Sequence, residues 1–297
     1  MNSSRIIFVP GLAAKPAAEL YRAQLLRVLL AALGRDRPRA REALAARPDV
    51  FVVVAWTHLF YAQDRDLALD LPGIERLLTK TPTADDRRAI ASWSHRLDML
   101  GRIVGDAVPP LIRLANTAIR AQLADVARYQ QDVGGVGTSI KQLVRAELES
   151  AWSARERVLL IGHSLGSVIC YDILWELGHE RRVERRVDLF VTLGSPLATH
   201  VIRRGLRGAG LRGADAYPHN IERWVNLTAR GDTTALYPRL EPRFRAMREL
   251  GLVGSIEDRV DLENCFHGAN GVNAHDAYGY FFQPALAEIV GGFIERA

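Results

Sequence analysis

The sequence has few cysteines, no long apolar run and no concentration of charge of one sign. Its two cysteines, Cys170 and Cys265, form neither a metal-ligand spacing nor a disulfide framework, which favours a reducing compartment. No uncharged apolar run approaches the ~20 residues that a membrane span needs. The net charge of +5 is mild and the arginines are interspersed with acids. Nothing therefore indicates nucleic-acid binding, while weak attraction to an anionic membrane surface stays open.

The beginning of the sequence resembles a secretion signal only loosely. The segment RIIFVPGLAA has one arginine, an apolar run and small residues. Pro10 and Gly11 interrupt that run, and cleavage would remove a segment with the pattern of a core strand. We therefore expect a cytoplasmic protein.

Short apolar runs rich in β-branched residues alternate with helical patterns. Apolar residues recur at three- and four-residue spacing in 16–33, and a second helical pattern covers 138–152. Such alternation predicts one α/β domain over residues 1–297, with a mostly parallel sheet flanked by helices. We expect a final helix from Asp276 that Pro284 kinks or divides. The predicted buried strands are 5–9, 50–55, 157–161, 187–193 and 223–228.

The connection between the second and third predicted strands is too long for a loop. It has about eighty residues, whereas such loops usually have about 2–6. Two amphipathic helical patterns lie within it, one beginning after Thr83 as N-cap and one opened by prolines at 109 and 110. We interpret 60–137 as a helical insertion, either a cap with positions such as Ile112 and Ile119 facing a site, or a structural layer or oligomer surface.

The segment GHSLG, residues 162–166, lies at the junction of a strand pattern and a helix pattern. A serine nucleophile must project from the sheet edge, and the residue after it must offer a free N–H to an oxyanion. A sharp strand-to-helix turn meets both needs, and Gly162 and Gly166 remove the side chains that would collide there. The pattern predicts Ser164 as a nucleophile, and a purely structural turn is the alternative.

With this strand–turn–helix and the sheet elements from Arg5 to the last helix, the sequence resembles the α/β-hydrolase superfamily, and more narrowly bacterial lipase- or esterase-like serine hydrolases. The insertion is not covered by the resemblance. The resemblance implies a triad in the order serine, acid, histidine. It implies Asp232, at the end of RWVNLTARGD, as the acid, and His275 in NAHDAYGY as the base. His267 is the second candidate base, and a solvent-facing turn is the alternative for Asp232.

Other polar residues near these positions fit structural roles better. Ser195 precedes Pro196, which has no N–H to donate to an oxyanion, so we expect Ser195 in a turn. Ser167 falls inside the helix pattern and is expected to be buried. Glu222 precedes its strand, and Asp276 is expected to cap the last helix.

The resemblance also implies an oxyanion hole. Its donors would be the N–H of Leu165, after the nucleophile, and the N–H of Leu12, in the loop after the first strand. Gly11 would permit close backbone approach there. Relatives often carry His-Gly at this place, so Pro10 is a departure, and an ordinary Pro-Gly turn stays open. His58 is expected near the pocket without a catalytic role.

We expect a serine hydrolase that cleaves a small-molecule carboxylic ester with an apolar acyl group, using no metal and no organic cofactor. The same triad would also serve an acyltransferase or a thioesterase. A non-catalytic scaffold is the alternative from another class of function. The sequence leaves the oligomeric state open.

Overall fold

The structure is a computed structural model that describes residues 3–91 and 117–296, and of residues 117–123 the backbone alone. A six-stranded sheet has the order β2-β1-β3-β4-β5-β6, and every neighbouring pair is parallel. The predicted α/β fold with a mostly parallel sheet is confirmed at this level. Its strands are β1 (Ser4–Val9), β2 (Phe51–Val53), β3 (Arg157–His163), β4 (Leu189–Leu193), β5 (Arg223–Ala229) and β6 (Ser255–Leu262).

The prediction of five strands was incomplete, because it lacked β6. This strand reads SIEDRVDL, and only Ile256 in it is buried. It pairs with β5 on one side only and lies at the edge of the sheet. An edge strand needs no continuous apolar run, so its charged sequence gave no strand signal. The predicted strand 50–55 was too long, since β2 has three residues.

Helices cover both faces of the sheet. Side chains alternate along β1, so Ile7 and Val9 pack on one face while Ile6 and Phe8 pack on the other. The helices are α1 (Ala18–Asp36), α2 (Pro38–Ala46), α3 (Leu71–Thr79), α4 (Ala84–Ile90), α5 (Thr117–Gln130), α6 (Val136–Ser153), α7 (Leu165–His179), α8 (His200–Arg204), α9 (Glu241–Glu249), α10 (Ala277–Phe281) and α11 (Pro284–Ile294). The face of Ile7 and Val9 packs against α6, α7 and α9, and the opposite face against α1, α2, α10 and α11.

The predicted division of the final helix at Pro284 is confirmed. The chain ends α10 at Phe281 and begins α11 at Pro284. Proline is well suited to the first position of a helix, because the N–H that it lacks would have no partner inside the helix. Among the described residues no helix is long and apolar enough to cross a membrane.

The insertion packs at two separate places. Thr83 caps α4 as predicted, and its hydroxyl and the Asp86 carboxylate form a capping box. Helices α3 and α4 contact a hairpin of β7 (His267–Gly268) and β8 (Gly271–Val272), whereas α5 contacts α6. Ile112 and the prolines at 109 and 110 lie outside the described residues, and of Ile119 only the backbone is described. The cap therefore stays a prediction.

The strand order predicts a crevice at the carboxyl ends of β1 and β3. The connection from β1 leads to β2 on one side, whereas the chain leaves β3 toward β4 on the other side. In open parallel sheets, ligands bind at the carboxyl ends of the strands where the order reverses in this way. The loop that begins at Pro10 and the corner at Ser164 both follow strands at this point.

Gly166 allows α7 to lie directly against the end of β1. A Cβ atom there would collide with the carbonyl oxygens of Val9 and Pro10, which are backbone atoms that cannot rotate away. We expect Gly166→Ala to lower the free energy of unfolding by about 1–3 kcal/mol. Chemical denaturation with circular dichroism measures this change.

Gly210 provides the matched control, because a Cβ atom there would meet no heavy atom within 4 Å. Gly210→Ala should leave the free energy of unfolding close to that of the unchanged chain. Equal effects of the two substitutions would contradict the close approach of α7 to β1.

Candidate active site

Ser164 occupies a strained corner between β3 and α7. Its φ of 54° and ψ of −127° are unusual for a residue with a side chain. A Cβ atom at Gly162 would lie 2.6 Å from the Cα atom of Ser167, and Gly166 is equally crowded by β1. The corner predicted for GHSLG is therefore present, and both glycines are required by close backbone contacts.

The side chains of Ser167 and Ser195 form hydrogen bonds that hold the backbone at the Ser164 corner. Ser167 Oγ donates to the carbonyl oxygen of Ser164 at 2.6 Å and lies 2.7 Å from Ser195 Oγ. A hydroxyl has one proton, so Ser195 must donate to Ser167. Ser195 Oγ also accepts the N–H of Leu197 at 3.2 Å. Both side chains are buried, as expected for structural serines.

The structure brings Asp232 and His275 together. Asp232 lies just after β5, and its Oδ2 atom is 2.9 Å from Nδ1 of His275, which precedes α10. A carboxylate accepts, so Nδ1 carries the proton and Nε2 is left as the basic nitrogen. The solvent-facing alternative for Asp232 is wrong, because this residue is only 2% exposed.

Tyr280 is a partner of Asp232 that the sequence analysis missed. Its hydroxyl donates to Asp232 Oδ2 at 2.7 Å and accepts the N–H of Ala229 at 2.8 Å. The N–H groups of Thr234 and Ala235 donate to Asp232 Oδ1. Burial alone would raise the pKa of Asp232, but His275 and these donors lower it below its ordinary value. The carboxylate therefore stays ionised although it is buried.

His163, beside the serine in GHSLG, holds the backbone of His275. The two rings lie 4.6 Å apart between centroids, and Nε2 of His163 is 2.8 Å from the carbonyl oxygen of His275. The carbonyl accepts, so Nε2 of His163 carries a proton. Burial, and then the nearby His275, lower the pKa of His163 well below its usual range. His163 is therefore a neutral donor, and its sequence position gave no sign of this contact.

The other candidates lie elsewhere. Nε2 of His267 is 2.7 Å from Asp86 Oδ1, so this histidine connects β7 to the insertion and not to Asp232. Asp276 accepts the N–H of Tyr278 and caps α10, which confirms its predicted role. Glu222 lies before β5, where it pairs with Arg186.

The loop after β1 touches the corner directly. A Cβ atom at Gly11 would lie 2.5 Å from Cβ and 3.1 Å from Oγ of Ser164, so the predicted close approach is present. Trp56 Nε1 donates to the carbonyl oxygen of Pro10 at 2.8 Å and holds the start of the loop. The N–H groups of Leu12 and Leu165 donate to no described residue, which leaves both able to face an oxyanion.

Ser164 Oγ forms no hydrogen bond with His275 among the described residues. Hydrogen bonds between a nucleophile and its base are often long in the absence of substrate and shorten when substrate binds. His58 is exposed and lines a cavity of about 210 Å³ with Lys15 and Asp64. No group of three metal-ligating side chains converges within the described ranges.

No family model, curated protein or solved structure matches the chain. Its function must therefore be inferred from the chemistry of this crevice and the sheet that supports it.

The buried charge of Asp232 gives the protein a specific pH dependence. A carboxyl whose pKa is lowered on folding stabilises the fold above its unfolded pKa, near the ordinary 3.8, and this stabilisation is lost as pH falls below that value. We expect Asp232→Asn to lower the free energy of unfolding by about 1–3 kcal/mol at pH 7. The difference from the unchanged chain should shrink below pH 4, as measured by urea denaturation across pH.

Asp261→Asn is the control, because the side chain of Asp261 is exposed. It should change stability little at any pH. A difference between Asp232→Asn and the unchanged chain that stays constant from pH 7 to pH 3 would contradict the buried ionised carboxylate.

Proposed function

We propose that the protein is a serine hydrolase of the α/β-hydrolase type that cleaves a carboxylic ester. The observation that carries the proposal is the hydrogen bond from His275 to the buried Asp232, close to a serine in a strained strand-to-helix corner. Nucleophile (Ser164), acid (Asp232) and base (His275) follow one another along the chain in the order that this class of enzyme uses.

In the proposed reaction, Ser164 Oγ attacks the acyl carbon while Nε2 of His275 takes its proton. Asp232 holds Nδ1–H of His275 and stabilises the imidazolium that forms. The carbonyl oxygen of the substrate becomes an oxyanion. It accepts hydrogen bonds from the N–H of Leu12 and from the N–H of Leu165, which lies at the amino end of α7. His275 then protonates the leaving alcohol, and an acyl-enzyme remains. Water, activated by His275, releases the acid and restores Ser164.

The contacts around Asp232 support this role. A carboxylate that was protonated could not stabilise an imidazolium, and the donors on both of its oxygen atoms keep it ionised. Tyr280 holds the carboxylate of Asp232, and His163 holds the backbone of His275. Such fixed orientation is what a base needs before substrate arrives.

We further propose a small-molecule ester with an apolar acyl group as substrate, no resident cofactor, and a cytoplasmic reaction. The compartment is supported by Cys170 and Cys265, which are buried and unpaired in the structure.

A fluorophosphonate probe tests the nucleophile, because it labels an activated serine. We expect labelling at Ser164 and none in Ser164→Ala. Turnover of p-nitrophenyl esters should fall by about 10⁵–10⁶ in kcat in both Ser164→Ala and His275→Ala, since the residues of a triad act as a unit.

His267→Ala is the matched control, and its effect on kcat should be mild. An inactive His267→Ala beside an active His275→Ala would overturn the assignment of the base. Product analysis with competing alcohols, amines and thiols separates hydrolysis from acyl transfer.

The cap hypothesis predicts a dependence on acyl length. If the insertion covers the site with its apolar face, each additional buried methylene contributes about 0.8 kcal/mol, roughly fourfold in kcat/KM, until the site is full. Esters from acetyl to decanoyl measure this profile. A flat profile would leave the insertion as structural packing.

A further inference from the structure

The loop that carries Leu12 contains a residue in an unfavourable conformation. Ala13, directly after Leu12, has a φ of 71°, in the left-handed region that favours glycine. A residue with a side chain stays in this region only when surrounding contacts hold it there. The contacts of Ala13 are therefore what fixes the path of this loop.

Two side chains hold Ala13 from different directions. Lys15 Nζ donates to the carbonyl oxygens of Leu12 at 2.5 Å and of Ala13 at 3.1 Å. The N–H of Ala13 donates to Tyr61 Oη at 3.0 Å. Every backbone polar group from the Leu12 carbonyl to the Ala13 carbonyl is thus occupied, whereas the N–H of Leu12 is not.

Tyr61 in turn is held by the insertion. Its hydroxyl donates to Asp125 Oδ2 at 3.0 Å, and Asp125 lies on α5. The hydroxyl has one proton and already accepts from Ala13, so the hydrogen bonds run in one direction, from Ala13 through Tyr61 to Asp125. Burial raises the pKa of Tyr61 to about 12, and this hydroxyl keeps its proton at neutral pH.

We propose that Tyr61 and Asp125 are positioning residues that couple the docking of helix α5 to the conformation of the Leu12–Ala13 loop and so to the oxyanion hole. The inference rests on the proposed function, because the loop has this role only in an acyl-transfer site. It assigns to the insertion an effect on the chemical step itself, separate from any covering of the substrate.

Arg128 on α5 also donates to the carbonyl oxygen of Phe60, beside Tyr61, but two other contacts of α5 lead away from the loop and allow a matched comparison. Tyr129 Oη donates to Asp172 at 3.0 Å, and Gln130 donates to the carbonyl oxygen of Ile202. Tyr129→Phe therefore removes one hydroxyl that docks the same helix but has no contact with Ala13. Tyr61→Phe removes the hydroxyl that does contact Ala13.

The experiment compares Tyr61→Phe, Asp125→Ala, Asp125→Asn and Tyr129→Phe in the full chain. With a short-chain ester, Tyr61→Phe and Asp125→Ala should lower kcat about tenfold with little change in KM, because the loss falls on the transition state. Asp125→Asn keeps an acceptor oxygen and should retain more activity than Asp125→Ala. Tyr129→Phe should lower the melting temperature and leave kcat unchanged.

Two further measurements follow the loop directly. Affinity for a boronic acid, whose tetrahedral adduct places an oxygen atom in the oxyanion hole, should fall in parallel with kcat in Tyr61→Phe. Amide hydrogen exchange by NMR should show faster exchange of the Ala13 N–H in Tyr61→Phe and in Asp125→Ala, but not in Tyr129→Phe.

An active unchanged chain with normal kcat in Tyr61→Phe would overturn the coupling and leave the proposed function standing. Equal losses of kcat in Tyr61→Phe and Tyr129→Phe would also overturn it, since a general docking effect would then suffice. Absence of turnover and of probe labelling in the unchanged chain would remove the proposed function. Hydrogen exchange at the Ala13 N–H would then test only whether Tyr61 holds the loop, and unchanged exchange in Tyr61→Phe would overturn that.

Discussion

The close approach of the end of β1 to the corner at Ser164 is the constraint on which the rest of the structure depends. The strained corner at Ser164 leaves no room for a side chain at Gly11, Gly162 or Gly166, where a Cβ atom would collide with Ser164, Ser167 or the end of β1. This approach is available only if β1 and β3 are neighbours and α7 crosses the end of β1. The strand order and the path of the loop after β1 are therefore two consequences of one contact.

A second set of interactions keeps a charge inside the protein. Asp232 lies at the end of β5, two strands from β3, and His275 and Tyr280 reach it from the end of the chain. An ionised carboxylate is costly to bury unless donors surround it, and here each oxygen atom has them. His163 adds a bond from the corner to the backbone of His275. The crevice thus joins segments that are distant in sequence, so local disorder in any one of them would disturb the whole site.

The elements that the sequence predicted are those with a strong local signal. Strands buried on both faces read as apolar runs, whereas the edge strand β6 is charged and was missed. Ser164 stands in a motif whose two glycines a sharp turn requires, and the family resemblance implied Asp232 and His275. The supporting contacts of Tyr280 and Tyr61 depend on residues far along the chain, and no local pattern encodes them. An amphipathic helix shows that it has a face to bury, but not what that face meets.

The position of His275 along the chain has a consequence for biosynthesis. The corner at Ser164 and the loop after β1 can form once β1 and β3 have both been made, whereas the Asp232–His275 hydrogen bond and the Tyr280 hydroxyl that supports it belong to the C-terminal segment. Under the proposed function, a nascent chain that still lacks this segment holds a serine without its base. The Ser164 hydroxyl would be activated only after α10 folds against the sheet. During synthesis, cellular esters and the chain itself would therefore not meet an activated serine.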